Sequence, residues 1–244
     1  TSTQFTLGIS STPTDNLVVT LDYYFIELND RIVLSSDFKV DATVQAALTA
    51  AGIPFQSDIA QVSYFTNDLT TETSGIDLVA TYNMDWSGGN TVLSAAGNWN
   101  STTVKDRVNR GTAAAPKYFI NDETKHDNEH GSPEYRMNVS ARHSMNNDVT
   151  ISVRGNLYGP YKNSKSGTLT SDDIVDYGRV TQWDADLSWD LSEAYRLTLG
   201  VNNLFDTMPD VDEGDGSCCG RTYRSGSVQD WQGTYYYVRG QINF

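Results

Sequence analysis

The sequence predicts an all-β protein, and within that class a transmembrane antiparallel β-barrel. Three observations point to this fold: apolar and polar residues alternate in many short segments, the joints between these segments are either short or long, and aromatic residues gather near the joints. Successive side chains of a strand point to opposite faces. The alternation therefore predicts strands with one apolar and one polar face.

The alternation is clearest in residues 183–191, which read WDADLSWDL. Trp183 and Trp189 fall on one face of this segment, and Asp184 and Asp186 fall on the other. Other segments repeat the same period of two, which gives about nine predicted strands. They are residues 5–9, 17–25, 75–84, 93–99, 135–141, 149–157, 183–191, 197–201 and 236–244.

The joints between the predicted strands are of two kinds. Short joints rich in turn-forming residues occupy 12–16, 85–90, 146–148 and 192–194, whereas long segments occupy 30–61, 104–133, 159–177 and 206–232. Outer-membrane barrels have this asymmetry, with short periplasmic turns at one end and long extracellular loops at the other. A soluble β-sandwich is the competing interpretation, but its loops lie at both ends without a consistent alternation of length.

Aromatic residues favour the membrane barrel. Membrane proteins place Trp and Tyr in belts at both interfaces. Two such belts are predicted here, one near the short turns and one toward the long loops. The first comprises Trp86, Trp189 and Tyr195, and the second comprises Tyr64, Trp99, Tyr158 and Trp183.

The composition excludes several classes of protein. The chain has 244 residues and a formal net charge of −14, which repels phosphate backbones and predicts no nucleic-acid partner. Mean hydropathy is −0.45, and no segment approaches the roughly 18 consecutive apolar residues of a membrane helix. Aromatic residues make up 11% of the chain, which predicts a folded protein because disordered chains are poor in aromatics.

No catalytic or metal site is predicted, and no cofactor is expected. The three histidines, His126, His130 and His143, lack an accompanying nucleophile motif, so enzyme activity is not expected. Residues 122–130 hold the densest cluster of possible metal ligands, but they are predicted to be a solvated charge run within a loop. Four acidic residues of the last loop do not match a calcium-binding loop: Asp210, Asp212, Glu213 and Asp215.

Two further features lie in the long loops. One helix is predicted over residues 41–52, with Asp41 as its N-cap and Gly52 after its last turn; packing within the first loop is its expected role. Cys218 and Cys219 are adjacent in the last loop. They are expected to form a strained vicinal disulfide, to pair with a cysteine elsewhere, or to remain free thiols.

The final strand and the strand count carry two more expectations. The apolar face of the final strand, formed by Tyr236, Val238, Ile242 and Phe244, resembles the C-terminal signal that the barrel assembly machinery recognises. With about nine strands, the first and the last run in the same direction and cannot close a barrel as an antiparallel pair. Single-chain bacterial barrels have an even count. We therefore expect these strands to belong to a larger barrel.

Several segments in the same order resemble the C-terminal barrel portion of TonB-dependent outer-membrane receptors. They are residues 16–24 with 28–32, residues 64–67 leading to 73–78, residues 200–206, and the terminal Phe244. Such receptors have about 22 strands around a plugged lumen. The resemblance implies that residues 1–244 are the last strands of such a barrel, and that the plug domain and the N-terminal strands are not present in this chain.

The resemblance also implies a function, a location and partners. The implied function is energised import of a scarce ligand such as a siderophore, cobalamin, haem or a saccharide, in the outer membrane of a Gram-negative bacterium. The implied partners are the TonB–ExbB–ExbD complex acting through the plug, the remaining N-terminal part of the receptor, the barrel assembly machinery, and outer-membrane lipid with lipopolysaccharide. A passive porin-like or adhesin barrel is the alternative.

Aromatic residues of the long loops are the predicted ligand contacts. The hypothesis rests on position alone, because these loops would surround the outer mouth of the barrel. The predicted contacts are Tyr118, Tyr161, Tyr223 and Trp231.

Overall fold

The computed structural model describes residues 1–53, 58–112, 117–164, 169, 174–211, 222–223 and 227–243. Thirteen strands and two helices follow one another along these residues. Their bounds are β1 Ser2–Thr14, β2 Leu17–Leu34, β3 Phe38–Lys39, α1 Ala42–Ala50, β4 Gln61–Val62, β5 Phe65–Trp86, β6 Gly89–Arg107, α2 Asp122–His130, β7 Tyr135–Met145, β8 Val149–Tyr158, β9 Tyr161–Ser164, β10 Ile174–Tyr177, β11 Val180–Asp190, β12 Tyr195–Asn202 and β13 Tyr235–Ile242.

Nine of the described strands form one antiparallel sheet in the order β1-β2-β5-β6-β7-β8-β11-β12-β13. Each strand pairs with the next member of this series along the chain, so the sheet is an up-and-down meander. The two remaining pairs, β3–β4 and β9–β10, lie within the long loops. The predicted all-β antiparallel fold is confirmed, and each of the nine predicted strands corresponds to one strand of the large sheet.

The register separates an apolar face from a polar face. Leu21 lies opposite Leu78, which lies opposite Gly97, and that row continues through Met137 to Leu157. The next row is Asp22, Asp77, Asn98, Arg136 and Tyr158. Many side chains of the apolar face are exposed, including Leu7, Leu21, Trp189 and Val238. An apolar surface of this extent marks an interaction surface.

Several strands are longer than the sequence pattern predicts, and three of them extend the sheet the most. β2 has 18 residues, β5 has 22 and β6 has 19, whereas about 9–11 residues cross a membrane. The additional residues extend the sheet at the long-loop end, where Glu72 pairs with Thr103 and Thr73 with Thr102. Apolar and polar side chains are both buried there, for example Leu69 beside Asp68 and Thr71, so no regular alternation signals a strand. The expected loop starts at residues 30 and 104 are therefore too early.

The predicted helix in the first loop is confirmed as α1. The side chain of Asp41 accepts hydrogen bonds from the backbone N–H groups of Thr43 and Val44, both at 2.9 Å. Gly52 follows the last turn with φ +69°, the left-handed conformation that ends many helices. In the described residues, neither α1 nor α2 has the length and apolar character that a membrane-crossing helix needs.

The aromatic belts are partly as predicted. Trp86, Trp189 and Tyr195 are exposed on the apolar face beside the short turns, and Trp99 lies on that face near the opposite end. Trp183 shares the apolar face, opposite Gly155. Two assignments are wrong. Tyr158 lies on the polar face, where Arg136 stacks on its ring at 5.9 Å, and Tyr64 lies outside the large sheet and packs against loop residues.

The ends of the sheet are two unclosed edges. Within the described residues β1 pairs with β2 alone and β13 with β12 alone. In β13, Tyr236, Val238 and Ile242 share the exposed apolar face as predicted, while Phe244 lies outside the described residues. Unpaired backbone groups in hydrocarbon cost several kcal/mol each, so both edges require pairing partners in a membrane.

Candidate functional site

The polar face of the sheet carries a hydrogen-bonded side-chain network. The side-chain amide of Asn98 donates to the Asp77 carboxylate at 2.7 Å and to the Tyr24 hydroxyl at 3.0 Å, and Asn100 donates to the Asn98 carbonyl oxygen at 2.7 Å. Farther along the sheet, Asn156 donates to Asp184 at 3.1 Å. These contacts link neighbouring strands and give the wall a hydrophilic inner surface of the kind that lines a lumen.

The first three long loops are joined to one another by hydrogen bonds at the end of the sheet that lies away from the short turns. Ser36 in the first loop accepts a hydrogen bond from the Asn121 N–H at 2.9 Å, and its hydroxyl contacts that of Thr124 at 3.1 Å. Ser164 of β9, in the third loop, bonds to α2. We call residues 35–38, 119–130 and 161–164 the loop platform. It positions the outer loops relative to the sheet.

Helix α2 lies at the centre of the loop platform, and its contacts differ from those expected for residues 122–130. Its carboxylates accept hydrogen bonds from adjacent elements: Asp127 from the Ser164 N–H at 2.9 Å and hydroxyl at 3.0 Å, and Glu129 from the Val104 N–H at 2.8 Å. Asp122 pairs with Arg107 at 2.7 Å. The prediction of a solvated charge run is therefore wrong, because several of these carboxylates form hydrogen bonds or ion pairs with neighbouring elements.

Few helix signals mark α2, because the segment is polar all round. The one local signal is Asn121, whose side chain caps the helix by accepting a hydrogen bond from the Thr124 N–H at 2.8 Å. The position is followed by two acidic residues in the first turn, Asp122 and Glu123, which interact favourably with the helix dipole. His130 lies in the last turn, where a basic residue complements the negative end of the helix dipole.

A small apolar core and one buried charge lie where the loop platform meets β5 and β6. Leu69, Val104 and Ile120 are buried together. Beside them Asp68 is 2% exposed and forms a bidentate pair with the Arg110 guanidinium. Hydrogen bonding from Arg110 holds the pKa of Asp68 below its ordinary value, against the opposing effect of burial. Asp68 lies in the extension of β5 beyond the membrane-spanning part, so this pair secures the second loop outside the membrane.

Aromatic and cationic side chains pack together in this region, and a polar cavity is lined by residues of the same loops. Phe38, Tyr64 and Phe119 pack together with ring centroids 5.2–5.8 Å apart. The Arg110 guanidinium lies 5.5 Å from the Phe119 ring centre. The adjacent cavity of about 770 Å³ has a mainly polar lining: Ser35, Ser36, Asp37, Lys39, Gln61, Asn121, Glu123, Thr124, Asp127 and Asn128.

The four predicted ligand contacts lie in different surroundings. Tyr118 is exposed and carries the Arg107 guanidinium 4.5 Å above its ring. Tyr223 and Trp231 lie near each other, with ring centroids 6.3 Å apart. Tyr161 is buried and stacks on Tyr177 at 4.6 Å. A role in ligand contact stays a prediction for all four, and the burial of Tyr161 confines its role to supporting the β9–β10 hairpin unless that hairpin opens.

The candidate metal ligands are partly described by the structure, and the two cysteines are not. The rings of His126 and His130 lie 4.9 Å apart on α2. Within the described ranges, no group of three or more His, Cys, Asp or Glu side chains is arranged to hold a metal ion. Cys218, Cys219, Asp212, Glu213 and Asp215 lie outside the described residues. Asp210 accepts a hydrogen bond from the Gly178 N–H at 3.4 Å.

Residues 1–204 match the protein family described as TonB dependent receptor-like, beta-barrel. The chain belongs to the TonB-dependent receptor family. This family consists of transport receptors of the Gram-negative outer membrane, so this receptor chain is a membrane β-barrel protein, and its apolar face is the lipid-facing face. No curated protein matches the sequence significantly.

Solved structures similar to this receptor chain have the same fold at low identity. The ferric yersiniabactin uptake receptor FyuA from Yersinia pestis is 16% identical, with all of this chain aligned to 30% of that one and a TM-score of 0.54. The ferric-catecholate import receptor Fiu from K12 E. coli is 12% identical, with coverages of 100% and 27% and a TM-score of 0.61. The copper transporter OprC is 13% identical, with coverages of 100% and 31% and a TM-score of 0.62. The receptor chain thus spans about 30% of the length of these structures.

We expect the Asp68–Arg110 pair to hold the second loop against the sheet. Because Arg110 lowers the folded-state pKa of Asp68, the contribution of this pair is fully present at neutral pH and is lost only as the pH falls through that depressed value. Asp68→Asn removes the charge at neutral pH. The loss of a hydrogen bond to a charged group costs about 1.5–3 kcal/mol, so trypsin is expected to cleave after Arg110 at least about tenfold faster.

The matched control is Asp176→Asn, which removes the carboxylate of the exposed Lys162–Asp176 pair, 2.9 Å apart, in the third loop. Exposed pairs contribute about 0–1 kcal/mol, so cleavage after Arg110 should be unchanged in this variant. Equal cleavage rates in Asp68→Asn and the unaltered receptor would show that the pair does not secure the loop.

Proposed function

We propose that the chain forms part of the barrel wall and outer mouth of a receptor that imports a scarce ligand across the outer membrane with energy from the TonB system. The observation that carries this proposal is the family match over residues 1–204. The hydrogen-bonded polar face of the sheet supports it, since a receptor lumen holding a plug needs a hydrophilic wall.

The two open edges of the sheet support a place within a larger barrel. We infer that residues 1–244 are the C-terminal strands, and that β1 and β13 pair with strands from the N-terminal part of the same receptor. The plug would then face the polar network around Asp77 and Asn98. The TonB–ExbB–ExbD complex would act on that plug, and the barrel assembly machinery would insert the completed wall using the apolar face of β13.

The charge of the outer loops bears on the cargo. Carboxylates outnumber cationic side chains in the first, third and fourth long loops, and the two balance in the second. A negative mouth attracts cationic ligands and repels anionic ones. Among siderophores, cobalamin, haem and saccharides, this surface favours ligands that are neutral or positively charged. The similar structures FyuA, Fiu and OprC are named for different cargoes, so the fold itself does not select one.

The test of function is energy-dependent uptake. Cells that produce the native receptor are supplied with radiolabelled cobalamin, iron-labelled haem, and neutral and anionic ferric siderophores, with and without the TonB–ExbB–ExbD complex. We expect one neutral or cationic probe to accumulate only when both receptor and complex are present. Uptake that persists without the complex would favour a passive porin, and binding to host surfaces without any uptake would favour an adhesin.

Loop aromatics are expected to contribute to ligand affinity. Stacking of a ligand on an aromatic side chain contributes about 1–3 kcal/mol in comparable recognition sites. We therefore expect Trp231→Ala, and separately Tyr118→Ala, to weaken binding of the transported probe at least about fivefold in an equilibrium binding assay on whole cells.

The control variant is Tyr195→Ala at the opposite end of the barrel. Tyr195 is 53% exposed and Trp231 is 41% exposed, so the two substitutions remove aromatic rings of similar accessibility. Binding should be unchanged in the control. If all three variants bind as the unaltered receptor does, the loop aromatics named here do not contact the ligand.

A further inference from the structure

The lipid-facing surface contains a groove. Its volume is about 390 Å³, and its lining is almost entirely apolar. Small side chains line it, including Ala80, Ala95 and Ala141, together with the larger Tyr82 and Trp183. The groove crosses the middle strands of the sheet, β5 to β8, and is continuous with the face that contacts the membrane.

The register explains why the groove exists. Ala80 lies opposite Ala95, Ala95 opposite Val139, and Val139 opposite Gly155, so one row across four strands presents only small or medium side chains. The Trp183 ring packs over Gly155 so closely that a Cβ atom at that position would lie 2.9 Å from the ring. The depression therefore runs along the row and ends at a fixed aromatic wall.

A polar cluster lies on the same face, directly on the short-turn side of the groove. The Trp86 indole N–H donates to the Thr91 hydroxyl oxygen at 3.2 Å, and that hydroxyl contacts His143 Nδ1 at 2.9 Å. The rings of Trp86 and His143 meet edge to face at 5.5 Å. Thr91 pairs with His143, whereas the next row toward the membrane centre pairs Leu93 with Ala141 at the groove.

The position of this cluster corresponds to the periplasmic headgroup layer. The short turns of outer-membrane barrels are periplasmic, and Trp and His side chains with one apolar and one polar part are suited to the interface. Thr91 is 8% exposed and its hydroxyl already contacts both rings. With the Thr91 hydroxyl accepting from Trp86 and donating its hydrogen to Nδ1, the ring proton of His143 lies on Nε2, which is then the ring atom that donates to a lipid phosphate.

We propose that the groove and the cluster together bind one phospholipid of the periplasmic leaflet. An acyl chain occupies the groove over Ala95, and the phosphate accepts a hydrogen bond from His143 beside Trp86. Both features are required, because lipid tails are as apolar as the groove and burial alone gives no preference over the surrounding bilayer. Lipopolysaccharide occupies the opposite leaflet, so its phosphates lie beyond the reach of the cluster.

The site is tested by lipid retention. The native receptor is purified in mild detergent, incubated with dipalmitoyl phosphatidylethanolamine, and examined by native mass spectrometry. We expect one retained phospholipid per receptor. Ala95→Phe should fill the groove and abolish retention. His143→Ala removes one hydrogen bond to a charged group, so it should weaken retention about tenfold.

Leu199→Phe is the control, because Leu199 is exposed on the same face outside the groove. Retention should be unchanged in this variant. His143→Ala leaves the groove intact, and so tests the site even if Ala95→Phe does not assemble. Unchanged retention in His143→Ala, equal loss in Leu199→Phe, or retention of lipopolysaccharide in place of phospholipid would each overturn the proposal.

Discussion

The structure depends on one constraint, which is that backbone N–H and C=O groups in hydrocarbon must be hydrogen-bonded within the protein. Nine strands meet this requirement for one another through a continuous antiparallel ladder. The meander order follows, because each short turn returns the chain to the adjacent position and completes another row of bonds. Within the described residues, the outward backbone groups of the edge strands β1 and β13 have no partner strand. The same constraint therefore requires neighbouring strands at both edges.

The ladder also separates two surfaces that perform different tasks. One faces lipid and is apolar, apart from the Trp86–Thr91–His143 cluster at its periplasmic margin. The other is held by side-chain hydrogen bonds such as Asn98 to Asp77, which pair polar groups across strands and leave a hydrophilic wall. Beyond the membrane, the long strands support the loop platform, whose charged side chains bond to neighbouring loops. The described parts of the first three long loops are thus bonded to one another and to the sheet.

Much of the wall could be predicted from the sequence because its two surroundings are so different. A strand between lipid and a wet lumen must alternate apolar and polar residues, so a segment such as residues 183–191 is recognisable as a strand. Likewise, Asp41 and Gly52 mark the two ends of α1. The extensions of β5 and β6 could not be predicted, because polar residues such as Asp68 and Thr71 are buried there beside Leu69, so the alternation of apolar and polar residues is lost. Helix α2 could not be predicted, because the residues that bond to it, Ser164 and Val104, are distant in sequence. The position of Tyr64 could not be predicted for the same reason, since it packs against Phe38 and Phe119.

The most direct test of this account is residue-resolved hydrogen–deuterium exchange of β1 and β13 in the native receptor in outer-membrane vesicles. Alternate amides of an edge strand point away from its single neighbour. If the wall continues into a larger barrel, every amide along the membrane-spanning part of β1 and β13 should exchange as slowly as those of β6. Rapid exchange at every second amide of these two strands would show that the edges are bare, and would contradict the place of this chain within a closed barrel.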